Sequence, residues 1–128
     1  MKRTRQARTV LLLAFACGMA AAHPVEAEAD FGAFLSRWRE AVVANDAEAL
    51  AGMTQVPFLF ESEPHDRADV ARSVVPALLT DDVRRCLRTA PPLREDDRYV
   101  LSCTPYLFYF GRVGGQWRWL EFAADGEG

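Results

Sequence analysis

Apolar positions alternate or run together in the last quarter of the chain, and this pattern predicts three β-strands. The runs are Tyr99–Thr104, Tyr106–Val113 and Gln116–Phe122. Gly114 and Gly115 separate the last two runs, and because glycine adopts positive φ without strain, they predict a two-residue hairpin turn. Both faces of these strands are largely apolar. We therefore expect other elements to cover the sheet, or the sheet to line a cavity.

Counting outward from the glycine turn predicts the residues that face each other in the hairpin. The predicted pairs are Arg112 with Trp117, Phe110 with Trp119, Phe108 with Glu121, Tyr109 with Leu120 and Leu107 with Phe122. One face then collects a candidate pocket of four aromatic residues and one acid, namely Phe108, Phe110, Trp117, Trp119 and Glu121. An acid among aromatic rings is a candidate general base. The alternative for Glu121 is an ion pair at the rim with Arg112 or Arg118.

Upstream of the strands, the apolar spacing is that of helices. Apolar residues recur at i, i+3, i+4, i+7 and i+11, which predicts one stripe of an amphipathic helix. The stripe consists of Phe31, Phe34, Leu35, Trp38 and Val42. Asp30 is the predicted N-cap of this helix. Asn45 and Asp46 separate it from a second, short helix over residues 47–53.

The middle of the chain predicts a short strand and two further helices. Val56–Phe60 is the strand, and residues 61–66 are a polar connection. A third helix starts near Arg67 and is interrupted at Pro76, since proline removes a helical hydrogen bond. A fourth follows Thr80, a typical N-cap. The predicted fold class is α+β, with N-terminal helices packed on a curved antiparallel β-sheet that ends in a C-terminal hairpin.

The first 22 residues have the pattern of a secretory signal peptide. A basic stretch is followed by a short apolar core, Val10–Ala16, and by an A-x-A site at Ala20–Ala22 that would leave His23 as the first mature residue. The apolar run falls short of the roughly 20 residues that a membrane-spanning helix needs. A second cleavage site after Ala27 is an alternative.

This pattern predicts a periplasmic or secreted protein with one domain. The predicted organisation is a signal peptide over 1–22, a flexible segment over 23–29, a single α+β domain over 30–123 and a frayed tail over 124–128. Lipid attachment at Cys17 is the less favoured alternative, since Ala14–Cys17 only loosely resembles a bacterial lipobox.

Loss of the signal peptide changes the charge of the chain. The chain has 15 basic and 18 acidic residues, and removing the four basic residues of the signal leaves a formal charge of −7. An acidic domain repels phosphate backbones and anionic membranes, which argues against nucleic-acid partners. The expected partners are an unknown small apolar ligand or an envelope protein, with no membrane span in the mature chain.

Two cysteines remain after signal cleavage, Cys86 and Cys103. An even number in an exported chain predicts a disulfide bond. The bond would join a helix to a strand and close a loop of about 18 residues, for which chain-entropy models give about 3 kcal/mol. Two buried free thiols are the alternative.

Candidate catalytic and metal-binding residues are few. The only histidines are His23 and His65, and neither C-x-x-C nor H-x-x-x-H spacing occurs. His65 lies between Pro64 and Asp66, a context typical of a solvated turn. We therefore predict no catalytic set, no metal site and no cofactor.

Two segments carry a resemblance to a known family. They are Met53-Thr54-Gln55-Val56-Pro57-Phe58 and the closing Gly114-Gly115-Gln116-Trp117-Arg118-Trp119-Leu120-Glu121-Phe122. With the helices between them, Phe31–Phe122 resembles the nuclear transport factor two-like superfamily, in particular its small exported bacterial members of unassigned function. The resemblance implies a curved sheet wrapped round helices, often enclosing an apolar pocket. Enzymatic members place acids with tyrosine or histidine in that cone, and no such set maps onto this chain residue by residue.

These observations favour an exported, non-catalytic domain that binds a ligand or protein with the concave face of its sheet. One alternative is a small isomerase or hydrolase with Glu121 or His65 as base. Another is an inhibitor or immunity-type protein that blocks a partner. A deep pocket with a buried acid would favour the enzyme, whereas a filled cone with an exposed aromatic patch would favour the partner protein.

Overall fold

The computed structural model of the chain describes residues 24–124, with side chains from residue 28 onward. The helices are α1 (Pro24–Ala44), α2 (Ala47–Gly52), α3 (Arg67–Asp69), α4 (Val75–Leu78) and α5 (Asp81–Leu87), and a π-helical segment, Val70–Val74, joins α3 to α4. The strands are β1 (Phe58–Phe60), β2 (Glu63–His65), β3 (Leu93–Glu95), β4 (Arg98–Cys103), β5 (Tyr106–Val113) and β6 (Gln116–Ala124). β3, β4, β5 and β6 form one antiparallel sheet in that order, and β1 pairs with β2 separately. The α+β class with a C-terminal hairpin is confirmed.

Several predictions for the termini lie outside the described residues. These are the signal peptide over 1–22, the lipidation site Cys17, His23 and the tail beyond Ala124. Residues 24–29, predicted to be flexible, form the first turns of α1, so Asp30 lies inside the helix and is not its N-cap. Within residues 24–124, no helix is both long enough and apolar enough to cross a membrane.

The predicted stripe of α1 packs against the sheet. All five of its residues, Phe31, Phe34, Leu35, Trp38 and Val42, are buried. The Trp38 ring lies 5.0 Å from Phe110 and 6.1 Å from Trp119 between centroids. At the N-terminal end of the stripe, Phe31 stacks on Tyr99 at 4.0 Å. Because edge-to-face and offset aromatic pairs add to the effect of burial, this layer is the main core of the domain.

The β5–β6 hairpin has the predicted turn, with φ of 58° at Gly114 and 78° at Gly115. Phe110 pairs with Trp119 and Arg112 with Trp117, as predicted. Beyond Trp119 the prediction is wrong. The observed pairs are Tyr109 with Glu121, Phe108 with Phe122 and Leu107 with Ala123, in place of Tyr109 with Leu120, Phe108 with Glu121 and Leu107 with Phe122.

The cause of this difference is a β-bulge at Leu120, which has no partner on β5. A bulge inserts one extra residue into a strand, and a shift of one residue moves the following side chains to the other face. Leu120 lies against Gly111, where an added Cβ would be 2.6 Å from the Leu120 Cδ1 atom. The bare glycine therefore leaves the space that the bulged leucine occupies.

The middle of the chain differs from the prediction in two short strands. β2 lies in the stretch that was predicted as a polar connection, and β3 lies between α5 and β4, where no strand was predicted. Both have only three residues and carry proline or charged side chains, so their composition resembles that of loops. The predicted helix from Arg67 is present, and its irregularity is the π-helical segment that ends just before Val75-Pro76. Thr80 is an N-cap as predicted, since its hydroxyl accepts from the backbone N–H of Val83, and Asp46 caps α2 in the same way by accepting from that of Ala49.

Cys86 on α5 and Cys103 on β4 form a disulfide, with Cα atoms 5.7 Å apart. Cys103 is buried and Cys86 is half-buried. The bond ties the last helix to the sheet across the segment that contains β3, so the predicted pairing of these two cysteines is present in the structure.

Candidate functional site

The helix-facing side of the sheet, where the candidate pocket was predicted, is filled with side chains. Phe108, Phe110 and Trp119 are each 0% exposed, and Trp38 of α1 packs against all three. Phe58 of β1 covers Trp119 from another side, at 4.7 Å. The structure thus brings three residues of the predicted pocket together as core rather than as the wall of a cavity.

Glu121 is not with those aromatic residues. The bulge at Leu120 turns Glu121 to the opposite face, where its Oε1 atom lies 2.8 Å from Nη1 of Arg98. The Glu121 side chain is 56% exposed. Glu121 thus forms an ion pair, as in the alternative prediction, but its partner is Arg98 rather than Arg112 or Arg118. An exposed, paired carboxylate has neither the burial nor the position of a base in a cone.

Trp117, the remaining residue of the predicted pocket, is half-buried and lines an open cleft. We call this the rim cleft. It lies between α1 and the tip of the β5–β6 hairpin and has a volume of about 390 Å³. Its charged lining residues are Arg37, Arg112, Arg118 and Asp30, and its larger apolar ones are Phe34, Met53 and Trp117.

One wall of the rim cleft is a face of α1. Asp30, Ala33, Phe34 and Arg37 occur at i, i+3, i+4 and i+7 of α1, so they share one face of the helix. The opposite wall comes from Arg112 and Trp117, which face each other across the hairpin. The cleft was not predicted from the sequence, although the helical spacing of Asp30 and Arg37 on either side of Phe34 was a signal for it.

Two of the three guanidinium groups in the cleft are held by polar contacts. Nη2 of Arg112 is 2.8 Å from Oδ2 of Asp30, and its Cζ atom lies 5.5 Å from the centroid of the Trp117 ring. Arg118 donates from Nη1 to the Gly52 carbonyl at 2.5 Å and from Nη2 to Oε1 of Gln116 at 2.8 Å.

Arg37 differs from the other two arginines. Among residues 28–124 its side chain has no hydrogen-bond or ion-pair partner. Three cations against one carboxylate leave the rim cleft with a formal charge of +2. The cleft can therefore attract an anion, and Arg37 is free to bind it.

His65, the other candidate base, lies elsewhere, on β2. Its Nε2 atom is 3.3 Å from the Phe60 carbonyl, and its ring packs on Phe60 at 5.8 Å. β2 pairs only with β1 and not with the four-stranded sheet. Residues 24–124 contain no group of three or more histidine, cysteine or acidic side chains that could hold a metal ion.

The rim cleft is thus the place where charge, an apolar floor and open space coincide. Its two walls are brought together by folding, since Asp30 of α1 and Arg112 of the hairpin are 82 residues apart in sequence. Comparison of the chain with models of known protein families, with curated proteins and with solved structures finds no match.

Proposed function

We propose that this chain is an exported, non-catalytic binding domain, and that its ligand is a small anion that occupies the rim cleft. One observation carries the proposal: the cleft combines three arginines and a single acid with an apolar lining of Phe34, Met53 and Trp117, although the chain as a whole is acidic. A local excess of positive charge on a negative protein attracts anions. A second cleft, lined by Asp81, Arg84, Arg85 and Arg88, has the same excess of charge but no apolar lining residue.

The size and composition of the rim cleft support a small ligand. Pockets for small molecules have volumes of roughly 300–1,000 Å³ and combine an apolar lining with a few polar groups. At about 390 Å³, with Phe34, Met53 and Trp117 beside the arginines, the rim cleft lies at the lower end of that range.

The absence of catalysis is supported by the position of the carboxylates. No carboxylate among residues 28–124 is buried, and Thr54 is the one buried polar residue in that range. Trp38 fills the region in which a cone enzyme would hold its substrate. The alternative of an isomerase or hydrolase therefore has no acid in a suitable place among the described residues.

Export and family membership are part of the proposal. Export is supported by the basic, apolar and small-residue pattern of residues 1–22 and by the Cys86–Cys103 disulfide, since such bonds persist in oxidising compartments. Membership of the nuclear transport factor two-like superfamily is supported by the order of elements: a helix pair, a short hairpin, a helical middle and a four-stranded antiparallel sheet.

The binding of 8-anilinonaphthalene-1-sulfonate, a fluorescent organic anion, tests the proposed site. The cleft variant is Arg37→Gln/Arg112→Gln, and the control is Arg72→Gln/Arg94→Gln, which removes the same charge from two exposed arginines outside both arginine-lined clefts. We expect the dissociation constant to rise at least tenfold in the cleft variant and to stay unchanged in the control. Equal affinities in the two variants would contradict the proposed site.

An inhibitor-type protein that blocks a partner is the second candidate. It is supported by β1, where Leu59 presents a large apolar side chain that is 64% exposed. Cross-linking in the periplasm with a photoreactive residue at position 59 tests this candidate, and failure to trap any protein would remove it.

A further inference from the structure

We infer that Asp30 occupies the place of a ligand carboxylate in the rim cleft, and that the ligand is a small organic carboxylate with a planar apolar body. This inference rests on the proposed binding function and names the chemical class of ligand. It follows from the contacts of Arg112, from the free guanidinium of Arg37 and from the apolar floor of the cleft.

The ion pair between Asp30 and Arg112 shows which anion the cleft accepts. One carboxylate oxygen of Asp30 lies 2.8 Å from Nη2 of Arg112. A guanidinium has five N–H donors, and this contact uses one of them. The Asp30 and Arg112 side chains are 62% and 42% exposed, so the pair is open to solvent and weak. A carboxylate from outside can therefore replace Asp30 at little cost.

Arg37 supplies the second contact for such a carboxylate. It lies seven residues after Asp30 on the same face of α1, across the cleft from Arg112. A carboxylate has two oxygens, and two guanidinium groups on opposite walls offer a donor for each. Arg118 adds positive charge, but Gly52 and Gln116 already accept from both of its terminal nitrogens. Two available guanidinium groups suit one carboxylate better than the three oxygens of a phosphate.

The body of the ligand follows from the uncharged part of the lining. Phe34 is 2% exposed, and it forms the floor together with Met53 and the half-buried ring of Trp117. Met53 and Trp117 are half-buried, so an inorganic anion would leave their exposed part in contact with water, whereas an apolar group would cover it. Trp117 already presents a ring face to the Arg112 guanidinium, and aromatic faces favour flat partners.

Competition by Asp30 has a measurable consequence. Because the Asp30 carboxylate competes for Arg112 and repels an incoming anion, Asp30→Asn should tighten the binding of a carboxylate. The expected gain is about fivefold, which corresponds to the upper end of measured exposed ion pairs. Arg37→Gln should weaken binding at least tenfold. Glu63→Gln, an exposed acid on β2, is the matched control for the change in charge.

The test is an NMR titration of the ¹⁵N-labelled exported protein, followed at the indole N–H signals of its three tryptophans. The probes are 1-naphthoate, its uncharged analogue 1-naphthalenemethanol, acetate and inorganic phosphate. We expect 1-naphthoate to shift the Trp117 signal most and to bind at least tenfold more tightly than the other three. Asp30→Asn should bind it about fivefold more tightly than the wild type, with Glu63→Gln unchanged.

Each other outcome overturns part of the account. Acetate or phosphate binding as tightly as 1-naphthoate would refute the apolar body and leave an anion-binding cleft. An Asp30→Asn affinity equal to that of the wild type would refute the competition. If no anion perturbs the cleft residues, and the anilinonaphthalene dye does not distinguish cleft from control variants, then the proposed function fails as well.

Discussion

Arg39 and Arg84 each bind the carboxyl end of the helix that carries the other. From α1, Nε of Arg39 donates to the Leu87 carbonyl of α5 at 3.0 Å, and its Nη2 donates to Ala90 just beyond. From α5, Nε of Arg84 donates to the Val42 carbonyl of α1 at 3.0 Å. The last carbonyls of a helix lack partners within it and carry partial negative charge. Arg39 is half-buried, and this partial removal from water lowers the pKa of its guanidinium.

Replacing either arginine should therefore destabilise the domain. In Arg39→Met, the Leu87 and Ala90 carbonyls each lose a part-buried hydrogen bond. In Arg84→Met, the Val42 carbonyl loses a part-buried hydrogen bond and the Val43 carbonyl an exposed one. We expect each change to lower the free energy of unfolding by about 1–3 kcal/mol.

Urea denaturation followed by tryptophan fluorescence measures this loss. The matched control is Arg88→Met, which changes an exposed arginine directly after α5. Its free energy of unfolding should stay within about 0.5 kcal/mol of the wild type. Arg39→Lys should not restore stability fully, because a lysine cannot supply two donors in a rigid fork. An Arg39→Met variant as stable as the control would show that these bonds contribute nothing.

The β-bulge predicts a specific coupling between Gly111 and Leu120. In Gly111→Ala, the new methyl group would lie 2.6 Å from Cδ1 of Leu120, well inside normal contact. The leucine must move, and we expect a loss of about 1 kcal/mol or more in the free energy of unfolding. In a Leu120→Ala background the same change meets no such obstacle.

A double-mutant cycle tests the coupling. The effect of Gly111→Ala should be clearly smaller in Leu120→Ala than in the wild type, since neighbouring residues are not additive. Equal effects in the two backgrounds would contradict the contact, and with it the placement of the bulged residue over the glycine.

The bulge also marks the limit of what the sequence could predict. The α1 stripe, the glycine turn and the first pairs of the hairpin follow from local periodicity and local turn chemistry, which are visible in a single sequence. The position of an extra residue in β6 depends on a contact across the sheet, between Leu120 and Gly111. That one residue moved Glu121 to the other face and removed the predicted acid from the predicted pocket.

The rim cleft was unpredictable for a related reason. Its two walls meet only after α1 has docked on the sheet, and Asp30 and Arg112 are 82 residues apart. Trp117 was the one residue of the predicted pocket that also lines the cleft. The aromatic residues around it were correctly placed on one face, but periodicity cannot distinguish a filled core from a cavity. That distinction depends on whether Trp38 fills the space.

The glycine turn should not tolerate β-branched residues. No atom lies within 4 Å of a Cβ added at Gly114 or Gly115, so only the positive φ opposes a side chain there. For an L-residue this conformation costs roughly 1–2 kcal/mol, and Gly114→Val/Gly115→Val should lose at least about 2 kcal/mol. Gly114→Asn is the control, because asparagine adopts positive φ readily. An unchanged melting midpoint in the valine variant would contradict the turn.

Tyr99 should tolerate loss of its hydroxyl. The Tyr99 ring stacks on Phe31 at 4.0 Å, but its buried hydroxyl has no hydrogen-bond partner among the described residues. Tyr99→Phe keeps the stacking and removes an unsatisfied group, so stability should be unchanged or rise by up to about 1 kcal/mol. A loss of more than about 1 kcal/mol in urea denaturation would reveal a partner for the hydroxyl.

The disulfide should contribute a large share of the stability of so small a domain. It joins two residues that are 17 positions apart in sequence. Such bonds typically stabilise a fold by about 2–4 kcal/mol, mainly by restricting the unfolded chain. Domains of this size have only about 5–15 kcal/mol in total. Cys86→Ala/Cys103→Ala should therefore melt well below the wild type while keeping the same fold.

Mass spectrometry and melting test the bond together. Exported protein alkylated without reduction should gain no label, and after reduction it should gain two. A third label would show that Cys17, and with it residues 1–22, is retained. Reductant should lower the melting midpoint of the wild type to that of Cys86→Ala/Cys103→Ala and leave the variant unchanged, because only the wild type has a bond to break. If the wild type gains two labels without reduction, then the two cysteines are free thiols and the tie between α5 and β4 is absent in the exported protein.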